Sequence, residues 1–403
     1  MKNAIKEYLE LSKTEKAELW KNAVFIFDTN IFLNLYRYTE ITRESLLKAM
    51  QQLSDRIWMP HQVAQELMKD RAKVIFDTLK IFDELNEEKE KFIANCREKL
   101  RRESKDTKID NMSKEIDRHI KILKSESNYI KKVDDDEILN KLLKLFEDKV
   151  GAGFSESELD SIKREGVERY SRQTPPGYKD YKKGEENNAF GDLIIWKEIL
   201  QYAGANKKDI IYVTGDQKED WWNRTNGRTL GPRVELRKEF AEKTNQKFHM
   251  YNMNGFLTYY KELQGTSIQQ SAIDEVKSYE KFLEERHRVL RRQELVRRNC
   301  DDIDIQTQRL EMILHDLDEK QKFAKKRLNL LRHEVPEDPS KLSLAEIEET
   351  RRTVSELQQL QAYLYELSHQ KADVSKRLEQ LVNNKRQIIS SDIVDKEKEL
   401  ALI

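Results

Sequence analysis

Two acidic motifs, each placed directly after an apolar run, carry the residue types best suited to chemistry. In VFIFDTN an apolar run ends at Asp28, with Asn30 two residues on, and in IIYVTGD a second run ends shortly before Asp216. Ligand sites collect at the carboxyl ends of parallel strands, so Asp28 and Asp216 become neighbours if the two strands are adjacent. Carboxylates that converge in this way repel one another unless a divalent cation compensates their charge.

Two further acids fall on predicted helices. Glu66 lies in MPHQVAQELMKDRAK, and Asp192 follows Gly191 in the first turn of the apolar helix AFGDLIIWKEIL. Asp28, Glu66 and Asp192 also have ordinary structural explanations, and the sequence alone does not decide between a structural and a functional role. Asp28 or its neighbours can cap the next helix, Glu66 can be a solvated helix residue, and Asp192 can complement the helix dipole.

The elements that position these acids follow an alternating β and α pattern. Short apolar runs rich in β-branched and aromatic residues predict strands at VFIF, RIWMP, IIYVT and KFHMY, with helical stretches between them. The pattern predicts an α/β fold with a parallel sheet. Residues 69–150 contain no Gly or Pro and alternate apolar residues with Lys/Glu runs, which predicts a helical insertion. We expect one domain over residues 1–265.

The remaining residues, 266–403, lack glycine and carry apolar residues at steps of three, four and seven, which predicts two long helices with one apolar seam each. The break VPEDP separates them. The seam residues are Ile303, Leu310, Ile313, Leu317, Ala324, Leu328 and Leu331 on the first helix and Ile347, Val354, Leu357, Leu364, Leu367, Val374, Leu378, Leu381 and Ile388 on the second. The simplest structure is an antiparallel coiled-coil hairpin, which either folds back on itself or joins another subunit.

The set of motifs resembles the PIN-like nucleases, in particular the bacterial group with a helical insertion. The resemblance covers about residues 15–265 and rests on DTN, Glu66, GDLIIW and VTGDQKEDWW, with PPGYKD and GPRVELRKEF as further similar segments. It implies a three-layer α/β/α fold and metal-dependent cleavage of phosphodiester bonds. By motif position, the resemblance assigns metal-binding roles to Asp28, Glu66, Asp192 and Asp216 and supporting roles to Asn30 and Asp220. A role as a toxin or phage-defence effector would follow from the same resemblance.

The chemistry of the acids agrees with this resemblance. Mg²⁺ and Mn²⁺ prefer oxygen ligands, and the motifs offer no Cys or paired His that would favour zinc. A water made acidic by the ion can attack phosphorus without any side-chain nucleophile. The resemblance favours RNA as the substrate. Glu185 and Glu186, in the polar stretch before Asp192, are alternatives for one metal-binding role.

Two segments could contact nucleic acid, and each has a simpler explanation. Residues 281–299 hold seven Lys or Arg against three Glu, which suits a phosphate backbone or a charged coiled-coil face. A second segment combines aromatic and basic residues between prolines and glycines, which suits base stacking or a surface loop. The candidate residues are Tyr178, Lys179, Lys182, Lys183, Arg291, Arg292, Arg297 and Arg298.

The overall composition limits the partners and the cellular compartment that the protein can have. Lys plus Arg and Asp plus Glu are equal at 74, which argues against a chain that coats nucleic acid uniformly. Two cysteines and the lack of an apolar run of about 20 residues predict a cytoplasmic protein without a membrane span. Two rival functions remain: a catalytically silent coiled-coil scaffold, and a structure-specific DNA nuclease. We also expect the helical arm to bind a second copy or a sensor protein.

Overall fold

The computed structural model describes residues 8–100, 107–126, 136–181, 189–225, 228–264, 268–336 and 342–400 of the 403-residue chain. The chain forms two compact units, Met1–Leu283 and Glu284–Ile403, called the α/β unit and the helical arm below. None of the helices in the described ranges is long and apolar enough to cross a membrane.

Along the chain, helices and short strands come first, and the two longest helices follow them. A 3₁₀ turn at Ser54–Arg56 precedes α4. The elements are α1 (Lys13–Asn22), β1 (Val24–Phe27), α2 (Thr29–Asn34), α3 (Glu40–Gln52), α4 (His61–Lys99), α5 (Thr107–Glu126), α6 (Glu137–Leu145), α7 (Glu156–Ser171), α8 (Tyr178–Tyr181), α9 (Gly191–Asn206), β2 (Ile210–Val213), β3 (Trp222–Thr225), β4 (Arg228–Pro232), α10 (Val234–Thr244), β5 (Phe248–Tyr251), α11 (Met253–Gln264), α12 (Gln270–Glu334) and α13 (Leu344–Leu400).

A parallel sheet in the order β1, β2, β5 forms the centre of the α/β unit. The register pairs Phe27 with Val213 and Val213 with Tyr251, so the three strands end side by side. This alignment brings the residues that follow β1 and β2 to one edge of the sheet. The predicted α/β class with a parallel sheet is confirmed.

Helices cover both faces of this sheet. On one face, the ring of Phe25 lies 4.9 Å from that of Trp20 in α1 and 6.0 Å from that of Phe256 in α11. On the other face, Phe248 packs against Trp196 of α9 at 5.0 Å and against Phe240 of α10 at 5.2 Å. All residues of β1 and β2 are buried, as expected for a parallel sheet between two helical layers.

Two local features differ from the sequence-based expectation. The run RIWMP forms isolated parallel bridges, Phe25 with Ile57 and Met59 with Val150, and no named strand. This segment cannot form a longer strand, because α4 begins directly after Pro60 and proline has no N–H to donate to a neighbouring strand. In addition, β3 and β4 form an antiparallel pair that the sequence analysis did not predict.

The segment predicted as a helical insertion is helical over most of its described residues, up to Leu145, and ends in a turn and the bridge residue Val150. Helix α4 runs without interruption for 39 residues, from the α/β core into the insertion, and α5 packs against its outer half. Arg97 contacts Asp110 at 2.6 Å and Lys89 contacts Asp117 at 2.6 Å across this pair. Glu66 therefore lies near the start of a long helix whose far end is the insertion.

The α/β unit extends beyond residue 265, the boundary expected from composition, to Leu283. Ala272 and Val276 of α12 are buried in its core. Glu275 accepts a hydrogen bond from the N–H of Thr39 at 2.9 Å, at the start of α3. These contacts attach the first turns of α12 to the α/β unit despite their coiled-coil-like composition.

The helical arm folds back on itself. Across the hairpin, Lys385 contacts Asp304 at 2.5 Å and Gln321 Nε2 donates to Ser368 Oγ at 3.0 Å, while Lys371 also pairs with Asp318. As the residue numbers of these pairs rise along α12, their partners' numbers fall along α13, so the two helices run antiparallel. Buried seam residues of the arm are Leu317, Ala324, Leu328, Leu331 and Leu367, all of them in the predicted seams.

Candidate active site

Asp28 lies at the carboxyl end of β1 and caps helix α2. Its Oδ1 accepts a hydrogen bond from the N–H of Thr29 at 2.8 Å, and its Oδ2 accepts one from the Thr214 hydroxyl at 2.6 Å. The residue is 6% exposed. Burial raises its pKa to about 6; the Thr214 hydrogen bond opposes this rise, and the charges of Glu66 and Asp216 add to it.

The loop after β2 lies against Asp28. The N–H of Gly215 donates to Asn30 Oδ1 at 2.7 Å, and Asn30 Nδ2 in turn donates to Asp28 Oδ2. A Cβ at residue 215 would lie 2.9 Å from Asn30 Oδ1, so a larger residue there would push the Asn30 side chain away from this contact. The N–H of Asp216 donates to Thr214 Oγ1 at 2.9 Å. Both predicted acids therefore lie at one edge of the sheet, with Asn30 between the two loops.

The carboxylate of Asp216 is engaged by Lys218. Lys218 Nζ contacts Asp216 Oδ2 at 2.7 Å, and the Lys218 N–H donates to Asp216 Oδ1 at 2.8 Å. The two side chains are 29% and 14% exposed, respectively. The Lys218 ammonium therefore pairs with Oδ2 of this acid, while Oδ1 accepts from a backbone amide.

Glu66 reaches the same edge from helix α4. The Thr29 hydroxyl donates to Glu66 Oε2 at 2.7 Å, and Gln62 Nε2 donates to Glu66 Oε1 at 2.9 Å. Thr29 directly follows Asp28, so a single residue contacts both acids. Glu66 is thus held by specific contacts and is not a freely solvated helix residue.

Asp192 belongs to the same electrostatic environment. Its Oδ2 accepts a hydrogen bond from Trp221 Nε1 at 3.2 Å. The nearby Tyr212 is fully enclosed, and burial first, then the charges of Asp28, Asp192 and Glu66, raise its pKa well above the ordinary value. Tyr212 therefore lies within electrostatic reach of Asp28, Asp192 and Glu66, and Asp28 within reach of Glu66 and Asp216.

The donor set matches a hard divalent cation, although its present arrangement is not a closed ligand cage. All candidate donors are oxygens, and burial first, then the charges of Glu66 and Asp216, raise the pKa of Asp28. Within the described ranges, no three His, Cys, Asp or Glu side chains are arranged to hold a metal ion. Because the Lys218 ammonium contacts Asp216 Oδ2, a metal ion that binds this oxygen would compete with that ion pair.

Three further candidate residues, Asp220, Tyr178 and Lys179, make structural contacts outside the acidic site. Asp220 is fully buried, and its Oδ2 accepts a hydrogen bond from the Lys179 N–H at 3.1 Å, which is a structural contact. Tyr178 is 4% exposed and packs in the core, so it cannot offer an open ring face for base stacking. Lys179 pairs with Glu219 at 2.5 Å.

Other predicted residues fall outside the described residues or in the second unit. Lys182, Lys183, Glu185 and Glu186 lie outside the described residues. Arg291, Arg292, Arg297 and Arg298 lie on α12 in the helical arm, and Arg298 pairs with Glu294 at 2.5 Å.

Sequence reasoning missed Thr214 and Glu198. Thr214 is completely buried and links the two loops through its hydroxyl. Glu198 is 4% exposed in α9, and burial raises its pKa to about 7 despite backbone hydrogen bonds from Gln62 and His61. An acid within the apolar run LIIWKEIL was the available signal.

Comparison with known proteins agrees with this architecture. No curated protein and no solved structure matches the chain. The family model described as PIN like domain matches residues 24–236, more than half of the chain, and this range includes all four acids. The chain therefore belongs to the PIN-like domain family, which is part of a nuclease superfamily.

Proposed function

We propose that this protein is a Mg²⁺- or Mn²⁺-dependent endonuclease that hydrolyses phosphodiester bonds, with RNA as the favoured substrate. The observation that carries the proposal is the buried Asp28 carboxylate. Its pKa is raised by burial and by two neighbouring acids, at the strand edge of a PIN-like domain. Uncompensated negative charge at such an edge is what a divalent cation would neutralise.

In this proposal, the four acids hold the ion and their neighbours orient them. A bound Mg²⁺ or Mn²⁺ would supply an acidic water and offset charge on the phosphate. Asp28 and Asp216 are the most direct candidate ligands, and the Thr214 hydroxyl fixes the Asp28 carboxylate. Thr29 orients Glu66, and Trp221 holds Asp192 through its indole N–H.

The preference for RNA rests on the family resemblance, since a metal-activated water needs no 2′-OH. The direct test is incubation of the purified protein with Mn²⁺ and matched single-stranded RNA, single-stranded DNA and DNA flap substrates. We expect cleavage of RNA. Exclusive cleavage of the flap would replace the RNA assignment with that of a structure-specific DNA nuclease.

The matched variants are Asp28→Asn and Asp209→Asn. Asp209 precedes β2 at the opposite end of the strand from Asp216, and its Oδ1 accepts a hydrogen bond from the Lys247 N–H at 2.7 Å. Asp28→Asn should reduce cleavage by more than the about 10- to 100-fold that loss of an outer hydrogen-bond partner costs. Asp209→Asn should cleave as the wild type does. Equal activity of Asp28→Asn and the wild type would remove the proposed site.

One observation favours a catalytically silent scaffold as the second candidate. The Asp216 carboxylate is already paired with Lys218. In a scaffold this pair would be permanent, and Mn²⁺ would not raise the melting temperature. In an enzyme, Mn²⁺ would raise it in a concentration-dependent way.

We also propose a cytoplasmic location for the protein and a binding role for its helical arm. Cys96 and Cys300 are both free, which suits a reducing compartment such as the cytoplasm. We propose that the helical arm binds a second copy or a sensor protein. A toxin or phage-defence role rests on the family resemblance alone.

A further inference from the structure

Glu198 is a buried carboxylate that the proposed chemistry does not use. It lies in α9 and is 4% exposed. One of its oxygens, Oε2, accepts a hydrogen bond from the N–H of Gln62 at 3.1 Å, and a backbone hydrogen bond from His61 adds to this contact. Among the described residues, no Lys or Arg forms an ion pair with it. Burial of an ionised carboxylate without a cation is costly, so the residue needs an explanation.

Part of that explanation is that Glu198 caps helix α4. The first N–H groups of a helix have no partner within the helix. The residue before α4 is Pro60, which makes no side-chain cap. Glu198 supplies the missing acceptor from another helix, and this fixes the first turn of α4 against α9.

The capped turn leads directly to the acidic site. Gln62, whose backbone Glu198 holds, donates through its side chain to Glu66 Oε1 at 2.9 Å. The other Glu66 oxygen accepts a hydrogen bond from Thr29 at 2.7 Å, next to Asp28. An unbroken series of contacts therefore joins Glu198 to Glu66.

Helix α9 also carries Asp192 in its first turn. Glu198 thus joins the helix that carries Asp192 to the helix that carries Glu66. We propose that Glu198 is a positioning residue of the acidic site, which sets Glu66 relative to Asp192 so that both can bind one divalent cation. This inference rests on the proposed function, because it takes both acids as metal ligands.

The test measures Mn²⁺ binding by isothermal titration calorimetry, without any assay of cleavage. Glu198→Ala should weaken Mn²⁺ binding by about 10-fold or more, as loss of outer partners of metal ligands does. Glu198→Gln keeps an acceptor oxygen and should restore most of the affinity. The matched control is Glu280→Ala: Glu280 is 8% exposed and accepts a hydrogen bond from the Asn254 N–H at 3.1 Å, in α11.

Both alanine variants should lower the melting temperature, since each removes a buried helix contact. Only Glu198→Ala should also weaken Mn²⁺ binding. Unchanged Mn²⁺ affinity in Glu198→Ala, or an equal loss in Glu280→Ala, would overturn the positioning role and leave the proposed function standing. A wild-type protein that binds no Mn²⁺ would overturn both.

A second variant covers the case in which Glu198→Ala does not fold. Gln62→Ala keeps the backbone contact with Glu198 and removes the side-chain bond to Glu66. We expect Mn²⁺ binding weakened by about 10-fold, with a melting temperature close to that of the wild type. Wild-type affinity in Gln62→Ala would show that the connection to Glu66 does not position it.

Discussion

Two carboxylates of the α/β unit, the half-buried Glu239 and the buried Asp28, are held under opposite electrostatic conditions. Glu239 of α10 accepts hydrogen bonds from both Nη atoms of Arg169, at 2.7 and 2.8 Å, and one from Trp196 Nε1 at 2.9 Å. Burial alone would raise its pKa, yet the Arg169 contacts hold the pKa below the ordinary value. No described Lys or Arg pairs with Asp28, and burial with two neighbouring acids raises its pKa to about 6.

This difference separates an acid that stabilises the fold from one to which the proposed function assigns a metal ion. The Glu239 cluster is complete because each charge has a partner of opposite sign. In the Asp28 cluster, Lys218 pairs with Asp216, but Asp28 itself has only hydrogen-bond donors and no described Lys or Arg partner. Stability and function should therefore respond in opposite ways when the two carboxylates are replaced.

The largest expected contrast comes from Glu239→Gln and Asp28→Asn. Glu239→Gln removes the bidentate partner of Arg169 and leaves it only the more distant Glu165 at 3.4 Å, so it should lower the free energy of unfolding by about 3 kcal/mol. Asp28→Asn should cost less, because asparagine also caps helices and the repulsion is removed, which offsets the loss of one acceptor oxygen facing Thr214 and Asn30. Urea unfolding measures both. A stability loss in Asp28→Asn as large as that in Glu239→Gln would contradict the comparison.

The pH dependence of stability should identify Glu198 as a second carboxylate without a cation. Its pKa lies near 4.5 when unfolded and at about 7 when folded, so the native state binds more protons between these values. The contribution of Glu198 to stability therefore falls as pH rises through this window, by up to about 3 kcal/mol.

Urea unfolding at about pH 5 and about pH 8 measures this effect as a difference between the wild type and Glu198→Gln. The variant cannot ionise at this position, so the wild type should lose stability relative to it between the two pH values. A difference that stays constant with pH would contradict the account of Glu198.

The smallest expected effect concerns Lys218. Because Lys218 contacts Asp216 at 2.7 Å, it competes with any cation for that carboxylate. The pair is partly exposed, so Lys218→Met should strengthen Mn²⁺ binding by about two- to fivefold. Lys179→Met, which breaks the nearby pair with Glu219, is the matched control and should leave Mn²⁺ binding unchanged. Weaker Mn²⁺ binding in Lys218→Met would mean that Lys218 supports the site and does not compete with the metal.

The sequence predicted the parts of the fold and site that depend on strand order. Apolar runs predicted β1, β2 and β5, and a parallel arrangement was enough to bring Asp28 and Asp216 to one edge. It did not predict the pair β3 and β4, although the dipeptide Asn226-Gly227 between them is a strong hairpin signal.

Features that depend on tertiary packing could not be predicted. Tyr178 follows two prolines and a glycine, which suggested a surface loop, yet its ring is buried in the core. The composition change near residue 265 does not show that Glu275 and Val276 attach the next helix to the α/β unit. The contact between Glu198 and the start of α4 joins residues 136 positions apart, and no local pattern encodes it.

The central claim is that four acids from separate segments hold one hard cation at the strand edge. A crystal grown with Mn²⁺ and measured for anomalous scattering locates the ion directly. The account predicts a manganese peak in contact with Asp28 and Asp216, with Lys218 moved away from the Asp216 carboxylate. A peak bound elsewhere, or no peak at this edge while Lys218 keeps its contact, would contradict the claim.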